Sequence, residues 1–317
     1  MIYLLAINYY SSQLIAKLIN SISPNQIVDY QIIIVNNSPD QQSIYDLKTD
    51  KVVILESGEN LGFGRACNLG LNWIYQQNQK AIVWLINPDA YLLPEALEKV
   101  PALFQNHPEI SILGTIIYTT TGEIWFAGGE FIPQNGAIIP KTQILHSWRW
   151  NLPNPRSQVQ PENEEWRLCL LLQDLTKTID NQNSNIPYLK TDWVSGCSLL
   201  INLKNFPICP QFDPEYFLYY EDFDFCQRYA KQGHLISITN QIGVVHQPSA
   251  ITGKNAFLKF KHSTYSYLLT LERYTNKIVL LLRFVRLLLN AIYLLPFNRK
   301  VALGKFAGIS LYLRRVF

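Results

Sequence analysis

The sequence opens on an apolar run, Ile2 to Ile7 (IYLLAI), that stops at an asparagine. Tyr30 to Val35 (YQIIIV) and Ala81 to Ile86 (AIVWLI) stop in the same way. Residues 12 to 22 have helical apolar spacing, and a shorter run, Lys51 to Leu55 (KVVIL), follows the second strand. Short apolar runs that alternate with helical patterns predict an α/β fold, with a mostly parallel, Rossmann-like central sheet flanked by helices.

Polar side chains follow three of these predicted strands. Asn8 ends the first, Asn36-Asn37 the second, and Asn87-Pro88-Asp89 the run at Ala81 to Ile86. Ligands of such sheets bind where the carboxyl ends of the strands open into loops. We therefore expect a polar binding rim there. Asp89 is a candidate ligand for a hard cation, although a lone aspartate in this position is more often a turn residue or a helix cap.

Composition excludes several classes of protein. Hydrophobic residues make up 48% of the 317 residues and charged residues 16%, which is unlike a disordered, collagen-like or coiled-coil chain. The five cysteines include no CxxC pair, so neither a disulfide framework nor a zinc tetrad is indicated. Because no basic segment precedes the first apolar run, no secretion signal is predicted, and a reducing cytoplasm is expected.

Charge is distributed unevenly along the chain. Residues 254–317 hold 12 Lys and Arg against one acid, Glu272, whereas residues 1–253 have a net charge of −8. We predict a catalytic domain over 1–253 and a basic, apolar helical region over 254–317. Arg283, Arg286 and Asn290 share one face of a helix within it, so the segment 277–299 is expected to lie on the inner face of the membrane rather than to span it. A solvated basic face on ordinary core helices, or a dimerisation helix, is the alternative.

A glycine loop, Asn60-Leu61-Gly62-Phe63-Gly64, follows a strand and precedes a helix. Glycine lets the backbone approach a ligand closely, and a helix N-terminus favours anions. The loop matches neither a P-loop nor the dinucleotide GxGxxG, and Asn8-Tyr9-Tyr10-Ser11 stands where an oxidoreductase would have its glycines. Taken alone, it is more typical of a helix-capping turn.

Three carboxylates fall within the four residues Glu221-Asp222-Phe223-Asp224, directly after a run of aromatic residues. Crowded like charges beside apolar rings raise at least one pKa, which suits a general base. The alternative is an acidic first turn of a helix, in which Glu221 or Asp224 serves as a cap. His246 follows another predicted strand and is either structural or a metal ligand. Residues 141–190 are interpreted as an insertion or flap.

The ordered set of these motifs resembles family 2 glycosyltransferases, in particular the rhamnosyltransferase-like branch with the GT-A fold. The resemblance covers roughly residues 1–275 and depends on these positions: Asn8, Val35-Asn36-Asn37-Ser38, Asp40, Asn60-Leu61-Gly62-Phe63-Gly64, Ala66, Asn68, Gly70, Leu85-Ile86-Asn87-Pro88-Asp89, Trp193-Val194-Ser195-Gly196, Phe212-Asp213, Tyr216-Phe217, Tyr220-Glu221-Asp222-Phe223-Asp224, Arg228 and His246.

The resemblance implies an inverting transfer from a nucleotide-diphosphate sugar, with dTDP-rhamnose as the branch-level donor, to a glycan or lipid-linked acceptor. It assigns Asp222 as the base, Glu221 as the residue that orients the acceptor, and Asp89 with His246 as ligands of Mg²⁺ or Mn²⁺. The implied donor-binding residues are Asn8, Asn36, Asp40, Asn60, Gly64, Arg65, Asn68, Asn87 and Asp89. Trp193, Ser195 and Gly196 are expected to line the acceptor and sugar pocket. The family's DxD is reduced here to Asn87-Pro88-Asp89, and Asn36 replaces a common aspartate.

A non-catalytic relative that binds a sugar nucleotide or recruits a partner enzyme is the alternative function. The retained acids at 221–224 argue against it. No nucleic acid is expected as a partner, because the apolar residues of the basic tail are long aliphatics. The sequence leaves the oligomeric state open.

Overall fold

The computed structural model describes residues 1–22, 27–142, 187–247 and 255–316. Its strands are β1 Ile2–Asn8, β2 Tyr30–Asn36, β3 Val52–Glu56, β4 Ile82–Ile86, β5 Ala90–Leu92, β6 Ile110–Thr119, β7 Ile124–Phe126, β8 Gly129–Ile132, β9 Ala137–Pro140, β10 Tyr188–Lys190, β11 Ser198–Asn202 and β12 Leu235–His246. Its α-helices are α1 Ser12–Asn20, α2 Phe63–Gln77, α3 Ala96–Asn106, α4 Glu221–Lys231, α5 Ala256–Tyr274, α6 Lys277–Leu294 and α7 Arg299–Val316. Most of the predicted insertion, residues 143–186, lies outside the described residues.

One large sheet forms the centre of the fold, with the strand order β10-β12-β6-β11-β4-β1-β2-β3. The four strands β3-β2-β1-β4 are parallel, as the strand and helix alternation predicts. Beyond them the sheet is mixed, because β11 runs antiparallel to both β4 and β6. All seven residues of β1 are buried, so the apolar runs reflect strands that are covered on both faces.

The strand β12 is continuous, whereas the sequence pattern predicts two short strands, Leu235 to Ile238 and Gly243 to Val245. Thr239, Asn240 and Gln241 interrupt the apolar pattern, yet the chain stays extended through a shift in register between Thr239 and Gly243. An irregularity of this kind absorbs extra residues without ending the strand. Its far end pairs with β5, a strand that the sequence did not predict, and this pairing sets His246 opposite Ala90.

The C-terminal region forms three helices, as predicted. A second apolar core, separate from that of the sheet, joins α5, α6 and α7; its buried members are Tyr216, Tyr265, Leu268, Leu269, Ile309 and Tyr312. Helix α6 turns Leu280, Phe284 and Leu287 toward this core. In the described part of the chain, no helix combines the length and the hydropathy that a membrane crossing requires.

Candidate active site

The rim at the end of the parallel strands is a buried polar network. The register aligns Asn8 with Asn36 and Asn36 with Glu56. Asn8 Nδ2 donates to Asn36 Oδ1 over 3.0 Å, and Asn36 Nδ2 donates to Glu56 Oε2 over 3.0 Å. Neither asparagine is exposed. Asn8 and Asn36 were both predicted to bind the sugar donor. Because their side-chain amides form hydrogen bonds within the protein, they stabilise the rim.

Asn37, which was not among the predicted site residues, ties the rim to the glycine loop. Its Nδ2 donates to Asn60 Oδ1 over 3.0 Å, and its Oδ1 accepts from the Leu61 N–H over 2.8 Å. Asn60 is exposed and also accepts from the Gly62 N–H. The signal for Asn37 was its place in the Asn36-Asn37 pair after β2, where successive side chains point to opposite sides of the sheet.

The start of α2 brings Gly64 close to Glu221. Two other residues of α2 that were predicted to bind the sugar donor, Arg65 and Asn68, contact residues 212–214 instead. A Cβ on Gly64 would lie 3.6 Å from the Cβ of Glu221, an ordinary contact, and 3.1 Å from the Cβ of Phe212, where glycine relieves crowding. The Asn68 amide both donates to and accepts from the backbone of Phe212, while Arg65 Nε donates to the Pro214 carbonyl. Asn68 and Arg65 thus fasten α2 to the segment that precedes α4.

Asp40 and Asn87 lie on loops of the rim. Asp40 is exposed and accepts a hydrogen bond of 2.7 Å from the Tyr10 hydroxyl. The Asn87 N–H donates to the Cys197 carbonyl over 2.9 Å. This bond attaches the loop that carries Asp89 to Cys197, which directly follows Ser195 and Gly196 of the predicted sugar pocket.

Asp89 and His246 form a buried pair. Asp89 Oδ1 and His246 Nε2 are 3.1 Å apart, and the two residues are 4% and 5% exposed. The antiparallel pairing of β5 with β12 brings the two residues together. Next to this pairing, the Gln247 N–H donates a hydrogen bond to the Asp89 carbonyl. His246 Nδ1 is buried and has no hydrogen-bond partner among the described residues. A carboxylate oxygen and an imidazole nitrogen are both suitable metal ligands.

Two protein ligands match a divalent cation that takes its other ligands from phosphate oxygens and water, which is how Mg²⁺ is commonly held beside nucleotides. Within the described ranges, no three His, Cys, Asp or Glu side chains meet in a ready-made metal site. The residues present therefore fit a cation that is bound together with a diphosphate.

The acidic helix α4 starts from a strained turn. Tyr219 and Tyr220 both have positive φ, 69° and 65°, a backbone conformation that costs a tyrosine about 1 kcal/mol or more. The N-cap residue of this helix, Tyr220, makes no side-chain capping hydrogen bond, and Glu221, Asp222 and Asp224 all lie in the first turn, where acids favour the helix dipole. Such strain is typical of functional sites, where the surrounding structure holds it in place.

Asp222 is half-buried and held by backbone donors. Its Oδ2 accepts from the Gly196 N–H over 2.9 Å and its Oδ1 from the Phe223 N–H over 2.8 Å. Burial raises the pKa of Asp222, although both backbone donors act in the opposite direction. Burial also raises the pKa of Glu221 well above its ordinary range, and the neighbouring carboxylate of Asp222 adds to this. Glu221 Oε2 has no hydrogen-bond partner in the described part of the chain.

Asp224 has a structural role. It is fully buried, and it pairs with Arg228 Nε at 2.7 Å and with Arg273 Nη1 at 3.2 Å. The Tyr274 hydroxyl donates to it over 2.8 Å. Since Arg273 and Tyr274 end α5, this carboxylate joins the acidic helix to the C-terminal helices.

Trp193, Ser195 and Gly196 lie together beside Asp222. A Cβ on Gly196 would lie 3.4 Å from the Cβ of Asp222, an ordinary contact, and 3.2 Å from the ring of Phe63, a tighter one. The Trp193 ring packs against Phe126 with centroids 4.9 Å apart, and its Nε1 is buried without a partner among the described residues. Ser195 is buried, and its hydroxyl accepts from the Cys197 N–H.

Comparison with solved structures supports the fold. The chain is similar to the crystal structure of GalNAc-T7 with UDP, GalNAc and Mn²⁺, with a TM-score of 0.54 and 9% identity. The match covers 86% of this chain and 47% of that protein. The architecture is accordingly the GT-A fold, with additional helices at the C-terminus.

Comparison of sequences shows similarity to one family. The sequence model of glycosyl transferase family 2 matches residues 4–158. The chain is also 25% identical over 228 residues to N-acetylglucosaminyl-diphospho-decaprenol L-rhamnosyltransferase of two Mycobacterium tuberculosis strains, CDC 1551 / Oshkosh and H37Rv. That alignment covers 68% of this chain and 66% of the relative. With the GT-A fold, these matches make the chain similar to glycosyl transferase family 2 over its N-terminal half and to a rhamnosyltransferase over 228 residues.

Proposed function

We propose that the protein is an inverting glycosyltransferase that moves a sugar from a nucleotide-diphosphate donor to an acceptor hydroxyl, with Asp222 as the base. The main support for this proposal is the Asp222 carboxylate. It is half-buried, burial raises its pKa, and the Gly196 N–H orients it through a hydrogen bond of 2.9 Å. A base with a pKa nearer to neutrality is better matched to proton transfer at physiological pH.

The proposed reaction is a single displacement. The acceptor hydroxyl gives its proton to Asp222 as its oxygen bonds to the anomeric carbon. The bond from that carbon to the diphosphate breaks, and its electron pair leaves with the nucleoside diphosphate. Glu221, next to the base and with an unpartnered Oε2, orients the acceptor. The strained turn before α4 and the hydrogen bond from Gly196 keep the base in position, which reduces the entropy cost of the reaction.

Asp89 and His246 would hold the divalent cation, Mg²⁺ or Mn²⁺, together with the donor diphosphate. When bound, such a cation neutralises the charge that develops on the leaving group. The backbone hydrogen bond from Asn87 to Cys197 links the Asp89–His246 pair to residues 195–197. The same loop donates the Gly196 N–H to Asp222, so it contacts both the proposed cation site and the proposed base. We infer dTDP-rhamnose as the donor and a lipid-linked glycan as the acceptor from the rhamnosyltransferase relatives.

Nucleotide binding and turnover test the proposal separately. Thermal unfolding is measured with dTDP, UDP and GDP, each with and without Mn²⁺ or Mg²⁺, because a ligand of the native state raises apparent stability. A metal-dependent shift selective for dTDP, followed by transfer from dTDP-rhamnose with inversion, is expected. A shift without turnover on any acceptor would favour a non-catalytic binding protein. The absence of a shift with every nucleotide would contradict both functions.

We further propose that α6 lies on an anionic membrane surface. Its outward face is a stripe of exposed apolar side chains, hereafter the apolar stripe: Ile278, Leu281, Leu282, Val285, Leu289, Ile292 and Tyr293. No acidic residue follows Glu272 in the chain, so the charges around the stripe are positive. Apolar side chains flanked by basic residues are typical of helices that lie in the interface of anionic lipids.

A second copy of the chain is a poorer occupant of the apolar stripe. Docking two copies through this helix would bring two sets of positive charges together, and like charges repel.

Vesicle flotation with matched variants tests the membrane proposal. Leu281→Gln with Leu289→Gln is expected to abolish flotation with vesicles that contain phosphatidylglycerol. The control, Ile27→Gln with Ile208→Gln, changes two other exposed isoleucines, 95% and 76% accessible, and is expected to float as the unaltered protein does. Equal flotation of both variants, or a change of oligomeric state in the first alone, would overturn the proposal.

A further inference from the structure

A basic groove lies between α5, α6 and α7, apart from the proposed donor site. It has a volume of about 550 Å³, within the range of small-ligand sites. Three cations line it: Arg283 and Arg286 from α6 and Lys305 from α7. Tyr267, Asn290 and Tyr293 add hydroxyl and amide groups. Among the described residues, no acidic side chain lines this groove.

The cations of the basic groove are not neutralised within the described part of the chain. No carboxylate there lies within ion-pair distance of Arg283, Arg286 or Lys305, although the neighbouring Arg273 and Arg315 each meet acids. Arg283 Nε donates a hydrogen bond to the Asn135 carbonyl over 2.8 Å, and this bond holds the guanidinium at the groove. Burial lowers the pKa of Lys305. Like charges gathered in a partly desolvated groove repel one another, and a bound anion would remove that repulsion.

The donor chemistry favours a phosphate oxyanion over other anions. Guanidinium groups bind phosphate through paired N–H donors, a lysine ammonium adds a point charge, and tyrosine and asparagine provide further donors. Three cations around one cavity suit a group with more than one negative charge.

The basic groove lies between the acids and the apolar stripe. On one side, the ring of Tyr267 contacts the ring of Tyr220, with centroids 5.6 Å apart, and Tyr220 directly precedes Glu221 and Asp222. On the other side, Leu289 and Tyr293 belong both to the groove wall and to the stripe. A molecule anchored in the membrane could therefore place its charged group in the groove and extend its sugar toward Asp222.

We propose that the basic groove binds the diphosphate group that joins the acceptor glycan to its lipid carrier. The identity of the ligand as the acceptor rests on the proposed function, whereas oxyanion binding by the groove does not. The chemistry is shared by a lipid-linked diphosphate, an ordinary phospholipid headgroup and free pyrophosphate, so the test must separate these sources.

Two charge-matched double variants provide the test. Arg286→Gln with Lys305→Gln removes two groove cations, while Lys300→Gln with Arg314→Gln removes two exposed cations of α7 that neither line the groove nor belong to the segment 277–299. Binding is measured in EDTA to phosphatidylcholine vesicles that carry either a polyprenyl diphosphate or phosphatidylglycerol at equal charge, and to free pyrophosphate. EDTA suppresses metal-dependent binding at Asp89 and His246.

The groove variant is expected to bind the polyprenyl diphosphate vesicles about tenfold more weakly or worse, since charge-assisted hydrogen bonds are lost, while the control stays within about twofold. Free pyrophosphate is expected to compete for the same site. Equal losses in the two variants would indicate diffuse surface charge, and an unchanged groove variant would exclude the groove; either result overturns the proposal. Equal weakening toward phosphatidylglycerol would overturn the acceptor assignment. Nucleotide stabilisation with Mn²⁺, expected to persist in both variants, reports separately on the proposed function.

Discussion

Gly196 and Asp222 are joined by a hydrogen bond of 2.9 Å from the backbone N–H of the first to Oδ2 of the second. A side chain at 196 would meet the Phe63 ring at 3.2 Å and the Asp222 Cβ at 3.4 Å. The loop that carries Gly196 therefore approaches α4 closely enough to fix the carboxylate. Two opposed effects then set the acidity of Asp222: burial favours its protonated form, and the backbone donors favour its anion.

Replacing the base should remove turnover and leave donor binding intact. Asp222→Asn keeps an oxygen that can accept from the Gly196 N–H, but it cannot take a proton. We expect the transfer rate to fall by about 10²- to 10⁴-fold, the contribution of a positioned general base. The measurement is the initial rate at saturating donor, together with nucleotide stabilisation. Asp50→Asn, at an exposed aspartate, is the control. A variant with more than a tenth of the original rate would exclude Asp222 as the base.

The buried Glu221 should destabilise the protein as pH rises. Its folded pKa is raised well above the unfolded value, so the native state binds more protons at neutral pH and stability falls with increasing pH. Glu221→Gln removes this effect. At pH 8 the variant should have a higher free energy of unfolding than the unaltered protein, and at pH 5 the difference should be much smaller. The difference should change by at most about 1.4 kcal/mol per pH unit.

Urea unfolding at several pH values measures this difference. Glu123→Gln, at an exposed glutamate, should show no pH-dependent gain. Parallel stability curves for Glu221→Gln and the unaltered protein would mean that the two states bind protons equally at this position.

Local patterns predicted the elements well because strands buried on both faces leave long apolar runs. The Tyr30 to Val35 run, for example, corresponds to β2 Tyr30–Asn36. The same reasoning divided β12, since buried polar residues such as Thr239 and Asn240 look like a loop in sequence, whereas the strand continues through them with a shift in register. The three-residue β5 is too short to leave a pattern.

Long-range partners could not be read from the sequence. The pairing of Asp89 with His246 depends on a contact between β5 and β12 across 157 positions. Asp224 looked like a helix cap because it follows other acids, but its partner Arg273 lies 49 residues away. Periodicity did identify the face of α6 with Arg283, Arg286 and Asn290, although it could not reveal that α7 would complete a groove there with Lys305.

The pair at Asp89 and His246 should control the metal dependence of nucleotide binding. With Mn²⁺ and nucleotide at about 100 times the dissociation constant, the unaltered protein should gain about 2.7 kcal/mol of stability. Asp89→Asn should lose most of that gain, and His246→Gln should lose part of it, because each removes one ligand. Thermal unfolding with and without Mn²⁺ measures both. His107→Gln, at a histidine that is only half-buried, is the control. A full metal-dependent gain in Asp89→Asn would place the cation elsewhere.

Two matched glycine substitutions, one in the glycine loop and one just before it, separate backbone strain from crowding. Gly58 and Gly62 both have positive φ, 77° and 80°, but a Cβ on Gly58 meets nothing within 4 Å, whereas one on Gly62 would lie 2.3 Å from the Phe217 carbonyl oxygen. That oxygen accepts from the Phe63 N–H over 2.9 Å, so it cannot retreat without breaking the bond. Gly58→Ala should cost about 1–2 kcal/mol from backbone strain alone.

Gly62→Ala should cost a further 1–3 kcal/mol or so, because crowding adds to the same strain. Free energies of unfolding in urea compare the two directly. Equal costs would show that the loop can move away from Phe217. Such a loop would not be held against the segment that leads into α4. A larger cost at Gly62, accompanied by weaker nucleotide stabilisation only in that variant, would tie the position of the glycine loop to donor binding rather than to folding alone.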